Sequence, residues 1–242
     1  MISEKPWRFD AVLLLLAGLL IMLSMSVFAA ALMKGKNAPP DFIGFVVSTV
    51  ATQACTIGLI HFFLRAHRMS WRELLGLRQP RFLSGVLLAL ALAIVALPIT
   101  WALSSLVIKI ITLFHQPPDQ QIAVQVLETT KAPAQRAVFA LAAIILAPFV
   151  EEILFRGILY PLLKHQGYPR LALWGTSLLF AAVHIHLPTF VPLFVFGLIL
   201  VWVYERTDML LAPILTHATF NTINFLLFVN QSQIEQWLKR FE

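Results

Sequence analysis

The strongest restriction on this chain is the length of its apolar runs. From Phe82 to Phe114 a single residue, Lys109, carries a charge, and the run exceeds the roughly 20 residues that a helix needs to cross a bilayer. Pro98 lies in its middle, so a kinked or tilted helix absorbs the excess. Hydrophobic residues make up 59% of the 242, charged residues 12%, and the mean hydropathy is +0.82. These values exclude an ordinary soluble domain. A transmembrane barrel is excluded as well, because its strands alternate over about ten residues and these Leu, Ala, Ile and Val runs do not. The expected fold is all-α, a polytopic transmembrane helical bundle of about 7–8 membrane helices.

Apolar spans read in order as Ala11 to Met33, Phe42 to Leu64, Phe82 to Phe114, Ala137 to Leu163, Leu171 to Ile185, Thr189 to Tyr204 and Met209 to Val229. The first follows Lys5 and Arg8, is longer than the about 7–15 apolar residues of a signal peptide, and is read as a retained span. A polar connection, Lys34 to Pro40, leads to the second. That span holds Ser48, Thr49, Thr52, Gln53, Thr56 and His61, of which Thr49, Thr52, Gln53 and Thr56 form a polar stripe at helical spacing, read as groups bonded to their own helix or to a neighbour. Ser70 and Glu73 form a capping box that opens a short surface helix. Residues from Pro117-Pro118-Asp119-Gln120 onward read as a loop with an amphipathic interfacial helix. Ile234, Trp237, Leu238 and Phe241 give the tail an apolar face for the membrane surface.

Five arginines, Arg65, Arg68, Arg72, Arg78 and Arg81, share the connection between the second and third spans. In a membrane protein they mark a cytoplasmic loop rather than a nucleic-acid site, so no nucleic-acid partner is expected. With the N-terminus cytoplasmic, the even-numbered connections share that side and ten of the eighteen cations fall there. The chain is then a multi-pass integral protein, of the plasma (inner) membrane in a bacterium. Cys55 is the single cysteine, so no internal disulfide can form.

The fourth span contains Glu151-Glu152-Ile153-Leu154-Phe155-Arg156, two carboxylates and a guanidinium between apolar flanks. Charge at that depth costs several kcal/mol unless it is paired or meets water, so function is the default explanation. On a helix Glu152 and Arg156 are one turn apart and pair, while Glu151 points about 100° away and is left free. Two later spans bring imidazoles, in Phe180-Ala181-Ala182-Val183-His184 and His217-Ala218-Thr219-Phe220-Asn221. Each alone reads as structural. Together with Glu151 they supply what hydrolysis of an amide requires. A carboxylate can take a proton from water, and an imidazole can orient that water and return the proton to the leaving nitrogen. His217 and Asn221 can hold the developing oxyanion. Glu151, His184 and His217 are also conceivable zinc ligands, but no HExxH is present and metal-free water activation is the preferred reading. Depth is the difficulty. Counting 1.5 Å per residue puts His184 roughly 20 Å from the cytoplasmic end of its span and His217 about 12 Å, unless the fifth helix is short or starts deep.

EExxxR at 151–156, FxxxH at 180–184 and HxxxN at 217–221, in that order on successive spans, resemble the CAAX-protease and bacteriocin-processing (CPBP, or Abi) family of intramembrane proteases. The resemblance implies an all-helical peptidase, often classed as a metalloprotease, whose better understood members cleave behind prenylated cysteines. It implies Glu151 and His184 as catalysts, His217 and Asn221 as oxyanion stabilisers, and Glu152 and Arg156 as support, with His186 left without a role. It divides the chain into N-terminal helices and an interfacial segment at 1–134, a CAAX-protease-like catalytic core at 135–230 and an amphipathic tail at 231–242. The expected function is an intramembrane endopeptidase acting on a protein or peptide, possibly lipidated, that enters from the cytoplasmic side. No cofactor is expected, with Zn2+ as the alternative. A non-catalytic scaffold or bacteriocin-immunity-type protein is the rival from another class, and a proton-relay transporter the third reading.

Overall fold

The computed structural model describes residues 7–33, 42–114, 121–130 and 132–239. The polar connection at 34–40, the loop residues 117–120 and Phe241 of the tail lie outside the described residues. In chain order the helices are α1 Phe9–Met33, α2 Phe42–Ala66, α3 Trp71–Leu75, α4 Phe82–Leu113, α5 Ile122–Thr129, α6 Pro133–His165, α7 Pro169–Ala182, α8 Leu187–Thr207, α9 Leu211–Val229 and α10 Gln231–Leu238. All seven apolar spans are helical, and no strand occurs among the described residues. The chain is an integral, multi-pass membrane protein. Helices α2, α4, α6, α8 and α9 are each long and apolar enough to cross a bilayer, α1 contributes the apolar stretch Phe9–Met25, and α7 has 14 residues.

Trp7, just before α1, and three connections meet at one end of the bundle. Ser70 caps α3 in the expected box, and its hydrogen bonds hold the Glu73 carboxyl below the usual carboxylate range. Gly76 follows in a left-handed conformation with φ of 71°, where a Cβ would lie 2.9 Å from Met209 Cα. Gln79 Nε2 donates to both the carbonyl and the carboxylate of Asp208. Lys164 pairs with Glu205 at 2.5 Å. The connections after α2, α6 and α8 are therefore on one face, which carries the five loop arginines and is called the basic face below. At the other end, Val126, Leu127 and Phe139 pack with Phe225, Phe228 and Val229, so α5 covers the far ends of α6 and α9.

Small residues decide how closely the central helices approach. Gly85, Ala89, Ala93, Ala96 and Thr100 form a buried stripe on α4. Ala89 packs with Val203, Met209 and Ala212, and Ala96 with Phe155, Phe180 and Phe196. Apolar area gives helices little reason to associate in lipid, so such small-residue stripes, which permit close contact, carry the association. Gly197 on α8 acts likewise, because a Cβ there would lie 3.1 Å from Ser177 Cα. The polar stripe on α2 is partly internal, with Thr56 Oγ1 donating to the Thr52 carbonyl at 2.8 Å.

Helix α6 is not uniformly α. Its hydrogen bonds shift to the five-residue register at Leu141–Leu146 and Ile153–Leu159, on either side of Ala147–Glu152. Two prolines lie beside these segments and leave carbonyls without their usual donors. Pro161 has no N–H for the Gly157 carbonyl four residues back, and the Trp7 indole donates to that oxygen instead at 2.9 Å. Trp7 is held there by Phe63 and His67, at ring-centroid distances of 5.0 and 5.2 Å. Trp7→Phe should keep the packing, lose the donor and reduce stability by about 1–3 kcal/mol. Adding Pro161→Ala, which restores a backbone N–H, should recover most of that loss. Unfolding of the purified variants in mixed micelles measures both effects, and a double variant no more stable than Trp7→Phe would contradict the assignment.

Candidate active site

Glu152 is fully buried, as is Arg156 one turn later. Arg156 Nη1 lies 3.1 Å from Glu152 Oε1 and 3.0 Å from Oε2, and Nη2 donates to the Gly197 carbonyl at 3.0 Å. The guanidinium also stands 4.5 Å from the centroid of the Phe180 ring, close enough for a cation–π contact. Sequence pairing of Glu152 with Arg156 is thus correct but incomplete. His217 Nδ1 donates to Glu152 Oε1 at 2.8 Å, across 65 residues of sequence. The His217 ring is fixed further by the edges of Phe180 and Phe196, at 5.6 and 5.4 Å. One carboxylate therefore ties α6 to α9 and, through Arg156, to α7 and α8.

Glu151 has different surroundings. Its Oε2 is shielded and has no hydrogen-bond partner among the described residues. A cavity of 450 Å³ is lined by Glu151, His184, His217 and Asn221 together, with Thr189, Gln121, Asn224 and aromatic walls from Phe196, Phe220 and Phe228. All four residues expected in the site therefore share one space. A second hollow of 490 Å³, bounded by Ala54, His61, Trp71 and Phe149, contains no carboxylate and is not assigned to chemistry. Asn224 and Gln121 were not among the expected site residues. Asn224 had a readable signal, since it lies seven residues after His217 on the same helix face.

Hydrogen bonding fixes which imidazole nitrogen each histidine presents. The Phe180 carbonyl can only accept, so His184 Nδ1, 2.7 Å away, carries a proton. Neutral His184 then offers Nε2 as an acceptor. His217 likewise carries its proton on Nδ1, toward Glu152, and its Nε2 donates only when the ring is an imidazolium. Asn221 Nδ2 donates one hydrogen to the Ala143 carbonyl at 2.9 Å. In the five-residue register that carbonyl faces Pro148, which has no N–H. The second hydrogen of the same amide is left for the cavity.

The predicted mismatch of depth is removed chiefly by α9 rather than by α7. Met209 and Leu210 are fully buried, and Leu210 Cδ2 would meet a Cβ on Gly157 at 2.9 Å. The seventh span therefore starts level with Gly157, about 12 Å below the end of α6 at His165. His217 thereby comes level with Glu152. Helix α7 is also shorter than expected and ends at Ala182, so His184 lies in the turn beyond it. Ile185 in that turn has φ of 47°, a costly left-handed conformation for a β-branched residue. Among the described residues no three His, Cys, Asp or Glu side chains group so as to hold a metal ion.

Residues 133–223 match a family described as type II CAAX prenyl endopeptidase Rce1-like. The chain is 30% identical over 203 residues to the UPF0177 protein YaiF of Lactococcus lactis subsp. lactis (strain IL1403), covering 79% of this chain and 80% of that protein. No solved structure matches. The two adjacent acids should respond unequally to loss of charge. Glu152→Gln leaves Arg156 buried without its partner and should lower stability by about 3–5 kcal/mol, whereas Glu151→Gln should change it by less than about 1 kcal/mol. Equal unfolding of the two variants in mixed micelles would refute the division between a fixed and a free acid.

Proposed function

Because the chain belongs to the CAAX-protease and bacteriocin-processing family of intramembrane proteases, we propose that it is an endopeptidase whose nucleophile is a water activated by Glu151. The observation that carries this reading is the single 450 Å³ cavity in which Glu151, with a shielded and unbonded Oε2, shares space with His184, His217 and Asn221. A water between Glu151 and His184 meets two acceptors, the carboxylate and Nε2. With both hydrogens so engaged, its lone pair is free for a carbonyl carbon.

Attack forms the C–O bond as the water proton moves to Glu151, and the carbonyl oxygen takes up negative charge. The free N–H of Asn221 donates to that oxygen. His217 adds a second donor when protonated on Nε2, with Glu152 stabilising the imidazolium. Collapse breaks the C–N bond, and the proton held by Glu151 passes to the leaving nitrogen. Glu152 and Arg156 are positioning residues: they orient His217 and keep charge at depth compensated. The metalloprotease label and a lipidated substrate have no support of this kind from the cavity.

New peptide N-termini in membranes of cells carrying wild-type or variant protein provide the test. A set of termini should depend on the wild type and vanish with Glu151→Gln. Asn221→Ala should slow their appearance by about 10²–10³-fold, the usual effect of losing one oxyanion donor. A non-catalytic scaffold predicts no such termini, and an unchanged set with Glu151→Gln would falsify the water mechanism.

A further inference from the structure

The hollow of 490 Å³ between α2, α3 and α6 shares no lining residue with the cavity of Glu151. Ala54, His61 and Phe62 on its walls are exposed, so it lies on the outer surface of the bundle. Trp71 of α3 closes one side, with its ring 6.3 Å from that of His61 and 6.0 Å from that of Phe149 on α6. Gly58 stands in the middle of α2, where glycine weakens a helix, and a Cβ there would meet nothing within 4 Å. The floor of the hollow is therefore open space rather than packed core.

Ala54, Gly58, His61 and Arg65 share one face of α2. From Ala54 to His61 this track is about 10 Å long and runs from the bilayer interior toward the basic face, with Arg65 about 6 Å beyond His61. Trp71 Nε1 can only donate, and it lies 3.1 Å from His61 Nδ1. Neutral His61 therefore carries its proton on Nε2, which has no partner among the described residues. Charge at the upper end is unbalanced. Arg65, Arg68 and Arg72 form no ion pair among the described residues. Glu73, the single acid between positions 61 and 81, is taken up by Ser70 N and Oγ at 2.8 and 2.7 Å.

We infer that this hollow binds one anionic phospholipid from the leaflet on the basic face. Arg65 receives the phosphate, His61 Nε2 donates to an oxygen of the glycerol esters, and an acyl chain lies along Gly58 and Ala54 beside Phe149. A zwitterionic headgroup would bring its own cation among the arginines, so a lipid of net negative charge is selected. The site is independent of the peptidase reading.

Mass spectrometry of the intact protein, released from micelles containing equimolar phosphatidylglycerol and phosphatidylcholine with the same acyl chains, tests it. The wild type should retain one phosphatidylglycerol in preference to phosphatidylcholine. Arg65→Gln should weaken retention about five-fold or more, and Gly58→Leu, which fills the floor, about ten-fold or more. Arg170→Gln and Arg206→Gln, outside the hollow, should retain the lipid as the wild type does, and each variant is first shown to unfold at the wild-type temperature. Equal retention of the two lipids would overturn the inference, as would an equal loss with Arg170→Gln, which would mark diffuse attraction to charge. Undiminished retention by Gly58→Leu, or displacement of the lipid by excess inorganic phosphate, would show that no acyl chain occupies the hollow. A dimer mass without lipid that Gly58→Leu abolishes would make the hollow an interface between copies of the chain and overturn the inference as well.

Discussion

The structure depends on one carboxylate. Glu152 is buried in a membrane-spanning helix and receives both the Arg156 guanidinium and the His217 imidazole. Either charge of the ion pair alone would be prohibitive in that surrounding; Glu152 Oε1 accepts from both Arg156 and His217, while Glu152 Oε2, 3.0 Å from Arg156 Nη1, and Arg156 Nε have no hydrogen-bond partner among the described residues. Gly197 and Phe180 complete the environment of Arg156. The interaction thus orders four helices around a common point and leaves the adjacent Glu151 facing the cavity. Two neighbouring residues of one type have separate tasks because a helix turns them about 100° apart.

Irregular backbone serves the same arrangement. Pro148 and Pro161 deprive two carbonyls of α6 of their usual donors, and each finds a side chain from far away in sequence, Asn221 in one case and Trp7 in the other. Within lipid an unmet carbonyl is expensive, so these are structural ties as well as local repairs. The first connects the helix with the acids to the helix with the second imidazole. The other ties the start of the chain to the segment just beyond Arg156. Register shifts of this kind are frequent at functional sites, where they re-aim side chains.

The membrane-spanning helices were legible because twenty apolar residues have few other solutions, and the bounds of α2, α4 and α9 differ from the sequence reading by at most two residues. The pairing of Glu152 with Arg156 was legible from their spacing. The bond between Glu152 and His217 was not, since nothing local links residues 65 apart. Depth was misjudged for a related reason: a count from the end of a helix assumes that ends lie at a common level, and α9 starts beside Gly157 rather than at the level of the end of α6.

The account turns on His217 being bound to Glu152 and not to Glu151. A double-mutant cycle on unfolding free energy measures this directly, using Glu152→Gln and His217→Gln in one cycle and Glu151→Gln and His217→Gln in another. The structure predicts a coupling of about 1.5–3 kcal/mol for the first pair, the range for hydrogen bonds to a charged group, and less than about 0.5 kcal/mol for the second. Coupling that is larger for Glu151 would exchange the two acids and remove the free base from the cavity.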